Sequence, residues 1–178
     1  MTNNERFPGN SIHDTAQIAE GVMMGTGNVI GPYCLIGLPP EWKGKEYNEG
    51  KVIIGHNNRI TGLVTIDSGA ALTIVGSDCY LMKSVHIGHD AAISNNVTIA
   101  CGAKIGGHTV ILNDCNIGLN AVVHQRQTIA IGCMIGMGAV VTKGLKTFAY
   151  QKFAGNPAKL LGDNDTHPNY TIFMKETL

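Results

Sequence analysis

The chain has 178 residues, of which 15% are charged, and its formal net charge at pH 7 is zero. This balance provides no basic surface for nucleic acid, because such surfaces concentrate lysine and arginine. The apolar runs are too short to cross a bilayer, and residues 1–10 contain no apolar core of a signal peptide. We therefore expect a cytoplasmic protein with no nucleic-acid partner and no membrane span.

The main pattern along the chain is an aliphatic residue at every sixth position. A helix face would repeat about every 3.6 residues, whereas a period of six suits short strands joined by sharp bends. Glycine often follows the aliphatic residue, as at Gly88 and Gly106, and glycine favours such bends. The repeat positions are Ile12, Ile18, Met24, Ile30, Ile36, Ile54, Ile60, Ile66, Val75, Leu81, Ile87, Ile93, Ile99, Ile105, Ile111, Ile117, Val123, Ile129, Ile135 and Val141. The repeat predicts an all-β solenoid.

Three such hexads close one triangular coil, so residues eighteen apart should stack in neighbouring coils at about 4.8 Å. The period is interrupted at 38–51 and at 67–73. We expect one parallel β-helix over 11–144 with these two insertions, and a capping segment with a short irregular or helical tail over 145–178. The flat sides of such a solenoid often become subunit interfaces.

Most of the cysteines follow the repeat. Cys34, Cys79, Cys115 and Cys133 each stand four places after an aliphatic position, and Cys101 has no CxxC partner. Free cysteine commonly behaves as a small buried hydrophobic residue. We therefore expect reduced thiols that pack in the interior, without metal or disulfide chemistry.

Histidines gather in the uninterrupted part of the repeat. The eighteen-residue spacing places Gly107 over His89 and His108 over Asp90 on one prism face, with His124 in the next coil. An imidazole, whose reference pKa is about 6.5, a carboxylate that orients it and a glycine amide can together perform general-base catalysis and bind an oxyanion. The alternative is that polar residues decorate an exposed face.

A zinc site is a second alternative. The γ-class carbonic anhydrases, which share this kind of repeat, hold zinc with one histidine and with a pair of histidines five residues apart in a coil above. Here Gln125 stands 36 residues after His89, and the chain contains no His-x4-His pair. A catalytic zinc needs three protein ligands, so we expect no metal.

The sequence of residues 81–90, LMKSVHIGHD, is followed by Gly106-Gly107-His108 and by residues 121–125, AVVHQ. This set resembles the UDP-N-acetylglucosamine acyltransferases of lipid A biosynthesis, which belong to the hexapeptide-repeat acyltransferase superfamily. The resemblance extends over residues 12–156 and includes the first insertion. It implies a left-handed parallel β-helix, an exception to the usual right-handed crossover, and a homotrimer with active sites between subunits.

The resemblance also implies roles for individual residues. His89 would be the general base, Asp90 would orient its imidazole, and the Gly107 amide would bind the oxyanion. The donor would be a thioester of coenzyme A or of acyl carrier protein, the acceptor a nucleotide-linked amino sugar, and no cofactor would be bound. The residues that would position the substrates are His86, His108, His124, Gln125, Lys43, Lys45 and Met137.

Some of these roles have alternatives. The substrate lysine is either Lys43 or Lys45, and the loop that carries them is otherwise a solvated segment with a trimer contact through Trp42. Met137 either ends the acyl-chain groove, which would favour a short acyl group, or fills a gap between coils.

The segment 153–159, FAGNPAK, resembles the closing segment of many acetyl-CoA-dependent hexapeptide transferases. We therefore expect an acyltransferase that moves a short acyl group to a hydroxyl or amine of a nucleotide-linked amino sugar. Acetyl transfer from coenzyme A to another small acceptor, and a non-catalytic trimeric scaffold, remain as alternatives.

Overall fold

The computed structural model describes residues 1–41 and 50–177, which form a triangular prism of three sheets. Sheet I contains β1 (Ser11–Ile12), β4 (Val29–Ile30), β7 (Arg59–Ile60), β10 (Tyr80–Leu81), β13 (Thr98–Ile99), β16 (Asn116–Ile117), β19 (Met134–Ile135), β21 (Gln151–Ala154) and β22 (Lys159–Asp163). Sheet II contains β2 (Gln17–Ile18), β5 (Leu35–Ile36), β8 (Thr65–Ile66), β11 (His86–Ile87), β14 (Lys104–Ile105), β17 (Val122–Val123) and β20 (Val140–Val141). Sheet III contains β3 (Val22–Met24), β6 (Lys51–Ile54), β9 (Leu72–Val75), β12 (Ala92–Ile93), β15 (Val110–Ile111) and β18 (Thr128–Ile129).

Neighbouring strands within each sheet stack in parallel, one coil apart. Ile87 pairs with Ile105, and Ile105 pairs with Val123, which is the eighteen-residue register that the hexads predict. The hydrogen bonds between coils run along the prism axis. Because the repeat aliphatic residue is the inward residue of each short strand, every coil contributes three side chains to one continuous core.

The repeat positions form that core. All of them are buried except Ile18 and Met24, which are partly buried. Full burial of one such aliphatic side chain contributes about 1.5–3 kcal/mol, so the repeat itself accounts for the main stabilising term. The predicted packing of the cysteines is also confirmed: Cys34, Cys79, Cys115 and Cys133 are buried in the core, and Cys101 is partly buried.

Two helices flank the prism. The first, α1 (Asn3–Arg6), begins with a capping box at Thr2, and the Arg6 guanidinium donates to three backbone carbonyls in residues 18–20. The second, α2 (Tyr170–Thr177), gives the chain its helical tail. Within the described residues, neither helix has the length and apolar character to cross a bilayer.

Sheet I continues past the last aliphatic repeat position. Strand β21 pairs in parallel with β19, and β22 returns antiparallel to β21. Below this last coil, the Tyr150 ring packs against His167 and Phe173, with centroids 5.1 and 4.7 Å away. These contacts close the C-terminal end of the core.

Candidate active site

Both interruptions of the repeat leave the prism at the corner between sheets II and III. The first separates β5 from β6, and the second separates β8 from β9. The Ser68 backbone N–H and hydroxyl donate to the Leu38 carbonyl at 2.9 and 3.2 Å, so the two insertions contact each other. We call this corner, with its turns at 88–91, 106–109 and 124–127, the site corner. The predicted histidine cluster lies in these turns rather than on a flat prism face. Strand β11 ends at Ile87, so His89 and Asp90 already belong to the turn that follows it.

His89 and Asp90 are adjacent in the first of these turns. His89 Nδ1 lies 2.8 Å from Asp90 Oδ2, and the Asp90 side chain is only 4% exposed. In the neutral ring this hydrogen bond places the proton on Nδ1 and the lone pair on Nε2. Burial raises the pKa of Asp90, but the hydrogen bonds from His89 and from the Ala71 N–H outweigh it and hold that pKa below its usual value. The carboxylate is therefore ionised at neutral pH.

The second insertion fixes Asp90. The Ala71 N–H donates to Asp90 Oδ1 at 2.7 Å, and the Asp90 N–H donates to Thr73 Oγ1 at 2.8 Å. Thr73 is fully buried in β9. No motif in the sequence pointed to Ala71 or Thr73. The break in the repeat at 67–73 was the available signal, but it predicted an insertion and not the contacts that the insertion makes.

Gly107 lies over His89, at the stacked position that the sequence predicts. A Cβ atom on Gly107 would lie 2.7 Å from His89 Nε2, so only glycine permits this approach. The Gly107 N–H has no hydrogen-bond acceptor among the described residues, whereas its carbonyl accepts from the Arg126 N–H at 2.9 Å. Gly107 thus packs against the His89 ring and carries a backbone amide that is able to donate a hydrogen bond to a ligand.

His108 lies over Asp90, as predicted. His108 Nε2 is 3.7 Å from Asp90 Oδ2, and its ring meets the His89 ring edge-on at a centroid distance of 5.0 Å. Burial and the positive charge of Arg126 lower the pKa of His108. This imidazole is therefore mainly neutral at pH 7 and can accept or donate one hydrogen bond to a substrate.

The atoms of His89, Asp90 and His108 lie within 4.8 Å of one another, which is close enough to hold a metal ion. Metal ligation requires a deprotonated nitrogen. The Nδ1 atom of His89 instead shares a proton with Asp90, whose other oxygen accepts from Ala71. A cation in this cluster would have to break the hydrogen bond that orients His89 or bind through Nε2 beside Gly107.

His86 projects from β11 towards the same corner. Its Nδ1 lies 2.7 Å from Thr65 Oγ1, and its Nε2 lies 3.9 Å from Asp67 Oδ2. Burial lowers the pKa of His86. Burial raises the pKa of Asp67 to about 6, with the charge of His89 opposing the shift and Glu41 adding to it. Asp67 is thus a second carboxylate beside the histidines, and the sequence analysis did not single it out.

The next coil places His124 and Gln125 at the site corner. Both residues are exposed, and His124 Nδ1 lies 2.8 Å from the Gln125 carbonyl oxygen. Because a carbonyl oxygen only accepts, Nδ1 is the donor and Nε2 carries the lone pair in the neutral ring. His124 and Gln125 therefore follow Gly107 and His108 along one continuous edge.

One predicted site residue, Met137, is not at this edge. Met137 is 74% exposed and lies in the turn between β19 and β20, at the corner between sheets I and II. It therefore does not meet His89 within one chain. Lys43 and Lys45 lie outside the described residues, as does Trp42.

Comparison with known proteins supports the resemblance. No protein-family model matches the chain. The acyl-(acyl-carrier-protein)–UDP-N-acetylglucosamine O-acyltransferase of Burkholderia vietnamiensis is 35% identical over 92 residues, which cover 49% of this chain and 35% of that protein. The structure of LpxA, a UDP-N-acetylglucosamine acyltransferase from Bacteroides fragilis, superimposes with a TM-score of 0.85 at 30% identity, over 95% of this chain and 65% of its own. The Francisella novicida enzyme gives a TM-score of 0.72 at 25% identity, over 95% and 76%.

These findings define the class: the chain is a left-handed parallel β-helix built from hexapeptide repeats. Within that class it is similar to the UDP-N-acetylglucosamine acyltransferases, as its motifs predict. The match spans about a third of the length of the curated relative, so substrates do not transfer to this chain by name alone.

Proposed function

We propose that this protein is an acyltransferase that moves a short acyl group from a thioester to a hydroxyl or amine of a nucleotide-linked amino sugar. The observation that carries the proposal is the 2.8 Å contact between His89 and Asp90, with Gly107 packed against the other ring nitrogen. The name of the Burkholderia relative supports a UDP-linked acceptor and an acyl carrier protein donor. An acyl-CoA presents the same thioester chemistry.

The reaction follows from these three residues. His89 Nε2 takes the proton from the hydroxyl or amine of the acceptor. At the same time, the oxygen or nitrogen of the acceptor forms a bond to the thioester carbonyl carbon. Asp90 stabilises the imidazolium, and the Gly107 N–H donates to the carbonyl oxygen as it becomes negative. The carbon–sulfur bond then breaks, and the proton passes from His89 to the departing thiolate. The products are an ester or amide and a free thiol, so the balance requires no bound cofactor and no acyl-enzyme.

General-base catalysis by His89 can account for only part of the rate acceleration. A positioned general base typically contributes about 10²–10⁴-fold. The remaining acceleration must come from positioning of the two substrates and from the oxyanion donor. His86, His108, His124 and Gln125 line the same corner, and we assign the positioning to them.

We also propose that the chain acts as a homotrimer. Sheet III turns an apolar surface outward, and Met23 on it is 51% exposed. The outward residues of its first five strands are Met23, Ile53, Ile74, Ala92 and Val110. Such a surface favours burial against another subunit.

The position of Met137 bears on how the subunits of the proposed trimer would be arranged. An acyl groove that begins at His89 and ends at Met137 joins two different corners, so it requires the sheet I–II corner of one protomer beside the site corner of the next. A contact between two different surfaces is heterologous, and it forms a ring when its rotation closes. The proposed homotrimer is such a ring with three members.

A cytoplasmic location is part of the proposal, because all five cysteines are free thiols and reducing compartments keep them so.

The direct test is thiol release from acetyl-CoA, longer acyl-CoAs and acyl carrier protein thioesters, each with a panel of nucleotide sugars. Wild type is compared with His89→Ala and with His13→Ala, which removes an exposed histidine from another corner. We expect acceptor-dependent release that only His89→Ala abolishes, with the oligomer unchanged in solution.

Three results would contradict the assignment. Release that survives His89→Ala would remove this residue as the base. Stoichiometric zinc in the purified protein, together with loss of function on chelation, would favour the metal alternative. Absence of turnover with every donor, in a protein whose biological role survives His89→Ala, would favour the scaffold.

A further inference from the structure

A groove continues from the candidate active site into the next coil of the site corner. It has a volume of about 400 Å³. Its lining residues are His124, Gln125, Arg126, Gln127, Lys143 and Gly144. The Arg126 N–H donates to the Gly107 carbonyl at 2.9 Å. The groove therefore begins directly beside Gly107, the residue whose N–H is the proposed oxyanion donor.

The groove contains two exposed cations. The chain has three arginines. Arg6 donates to backbone carbonyls, and the Arg59 guanidinium carbon lies 5.3 Å from the centre of the Tyr80 ring. In the part of the chain that the structure describes, the Arg126 guanidinium and the Lys143 ammonium have no anionic partner. Arg126 is thus the arginine whose charge is left for a ligand.

The backbone fixes the two turns that carry these cations. Arg126 has a φ of 62°, in the left-handed region, and the stacked residue in the next coil is Gly144, with a φ of 85°. With the buried Gln127 amide turned so that both of its groups find partners, its nitrogen donates to the Leu145 carbonyl at 3.1 Å and its oxygen accepts from the Gly144 N–H at 3.0 Å. These bonds tie the turn that carries Lys143 to the coil that carries Arg126.

The charge of Arg126 also reaches the site, because it is one cause of the lowered pKa of His108. Neutralisation of that charge by a bound anion would raise the pKa of His108. This coupling provides a readout of anion binding at the groove that does not depend on turnover.

We propose that Arg126 and Lys143 form a subsite for a phosphate or diphosphate ester, with Gln125 and His124 beside it. The proposal rests on the proposed function, because both substrates of that reaction carry phosphate. Arginine binds phosphate oxygens in a bidentate manner and lysine adds a point charge. The ligand is either the diphosphate of the nucleotide sugar or the phosphates of the thioester carrier.

The test measures binding of UDP, coenzyme A and inorganic pyrophosphate by calorimetry at low salt. The variants are Arg126→Gln and Lys143→Gln. The controls are Arg59→Gln on sheet I and Lys175→Gln in helix α2. We expect each groove variant to weaken binding about tenfold or more, as loss of a charge-assisted hydrogen bond does, and the controls to match wild type. Thermal unfolding checks that all four variants are folded.

The two sources of phosphate separate in the same experiment. A weakened affinity for UDP, with a raised KM for the nucleotide sugar and unchanged kcat, assigns the subsite to the acceptor. The same effects on coenzyme A and on the KM of the acyl-CoA assign it to the donor. In either case, NMR titration of wild type should show the pKa of His108 rising when pyrophosphate binds.

The failure of this proposal is distinguishable from the failure of the proposed function. If His89→Ala abolishes turnover while Arg126→Gln and Lys143→Gln leave every affinity unchanged, the subsite is wrong and the acyltransferase stands. If pyrophosphate binds in an Arg126-dependent manner but no donor is turned over, the subsite stands and the reaction does not. If none of the three probes binds to wild type, the subsite is wrong.

Discussion

The carboxylate of Asp90 and the imidazole of His89 face each other across 2.8 Å although the two residues are neighbours in the chain. Asp90 adopts a left-handed conformation, with a φ of 57°, which turns its side chain back towards the residue before it. The carboxylate is nearly buried and receives its second hydrogen bond from Ala71. The pair is thus oriented before any substrate arrives.

The first prediction concerns this pair. Asp90→Asn keeps a hydrogen-bond acceptor for His89 but removes the negative charge that stabilises the imidazolium. We expect kcat to fall, by less than the roughly 10²–10⁴-fold loss expected for His89→Ala, with little change in KM. Asp78→Asn is the matched control, because Asp78 has a φ of 59° at a turn of another corner. Equal kcat values for Asp90→Asn and wild type would contradict the orienting role.

The second prediction separates catalysis from stability with two glycines. In Gly107→Ala the new Cβ would meet the His89 ring, which can rotate away, so activity should fall sharply while the melting temperature changes little. In Gly118→Ala the new Cβ would meet backbone atoms of the next coil, including Met137 N at 2.6 Å, which cannot move without displacing that coil. We therefore expect Gly118→Ala to lower the melting temperature. Measurement of kcat and thermal unfolding for both variants checks the contrast, and a reversed order would refute it.

The third prediction concerns Asp67, whose pKa burial raises from 3.8 to about 6. Between these two pH values the unfolded chain has released the proton and the folded chain still holds it, so the free energy of unfolding falls as pH rises. At about 1.4 kcal/mol per pH unit, the loss approaches roughly 3 kcal/mol above pH 6. Asp67→Asn should therefore be more stable than wild type at pH 7.5, and the difference should vanish below pH 4.

Chemical denaturation across this pH range measures the effect. Asp165→Asn is a control of opposite sign, since a hydrogen bond from Lys152 lowers the pKa of Asp165 and stabilises the folded chain at neutral pH. If Asp67→Asn were less stable than wild type at pH 7.5, the carboxylate would have a favourable partner in the folded protein.

The fourth prediction tests the acyl groove. If Met137 closes the groove against a neighbouring protomer, Met137→Gly removes a long apolar side chain and should shift the preferred donor to a longer acyl group. Thiol release with a series of acyl chain lengths measures the preference. Met134→Ala truncates a partly exposed methionine on the flat surface of sheet I and should leave it unchanged. An unaltered preference in Met137→Gly would show that Met137 does not end the groove.

The fold follows from the sequence because the repeat residues that carry the pattern are also the residues that form the core. The stacking of Gly107 over His89 follows as well, since an eighteen-residue register fixes which residues are neighbours along the axis. The assignment of the cluster to a face was wrong, because the hexad count does not show where a strand ends and its turn begins. That boundary lies between Ile87 and His89.

The supporting contacts were not predictable in the same way. Thr73 and Ala71 reach Asp90 only because the second insertion folds back over the turn, and its conformation has no repeat to define it. Asp67, the first residue of that insertion, acquires its raised pKa from burial, which depends on tertiary packing. Contacts between protomers were not predictable either, because all three sheets share the same repeat and the repeat does not distinguish one surface from another.

Both insertions leave the prism at the site corner, while in the described residues the strand spacing at the other two corners stays constant up to β20. Loops at one corner can change in length or sequence without shifting the stacking of the coils, because each coil resumes its register at the next strand. The surfaces available to neighbouring protomers also keep their shape. The loops that contact ligands are thereby separate from the stacked coils that stabilise the fold. A change of substrate need not involve a change in those coils.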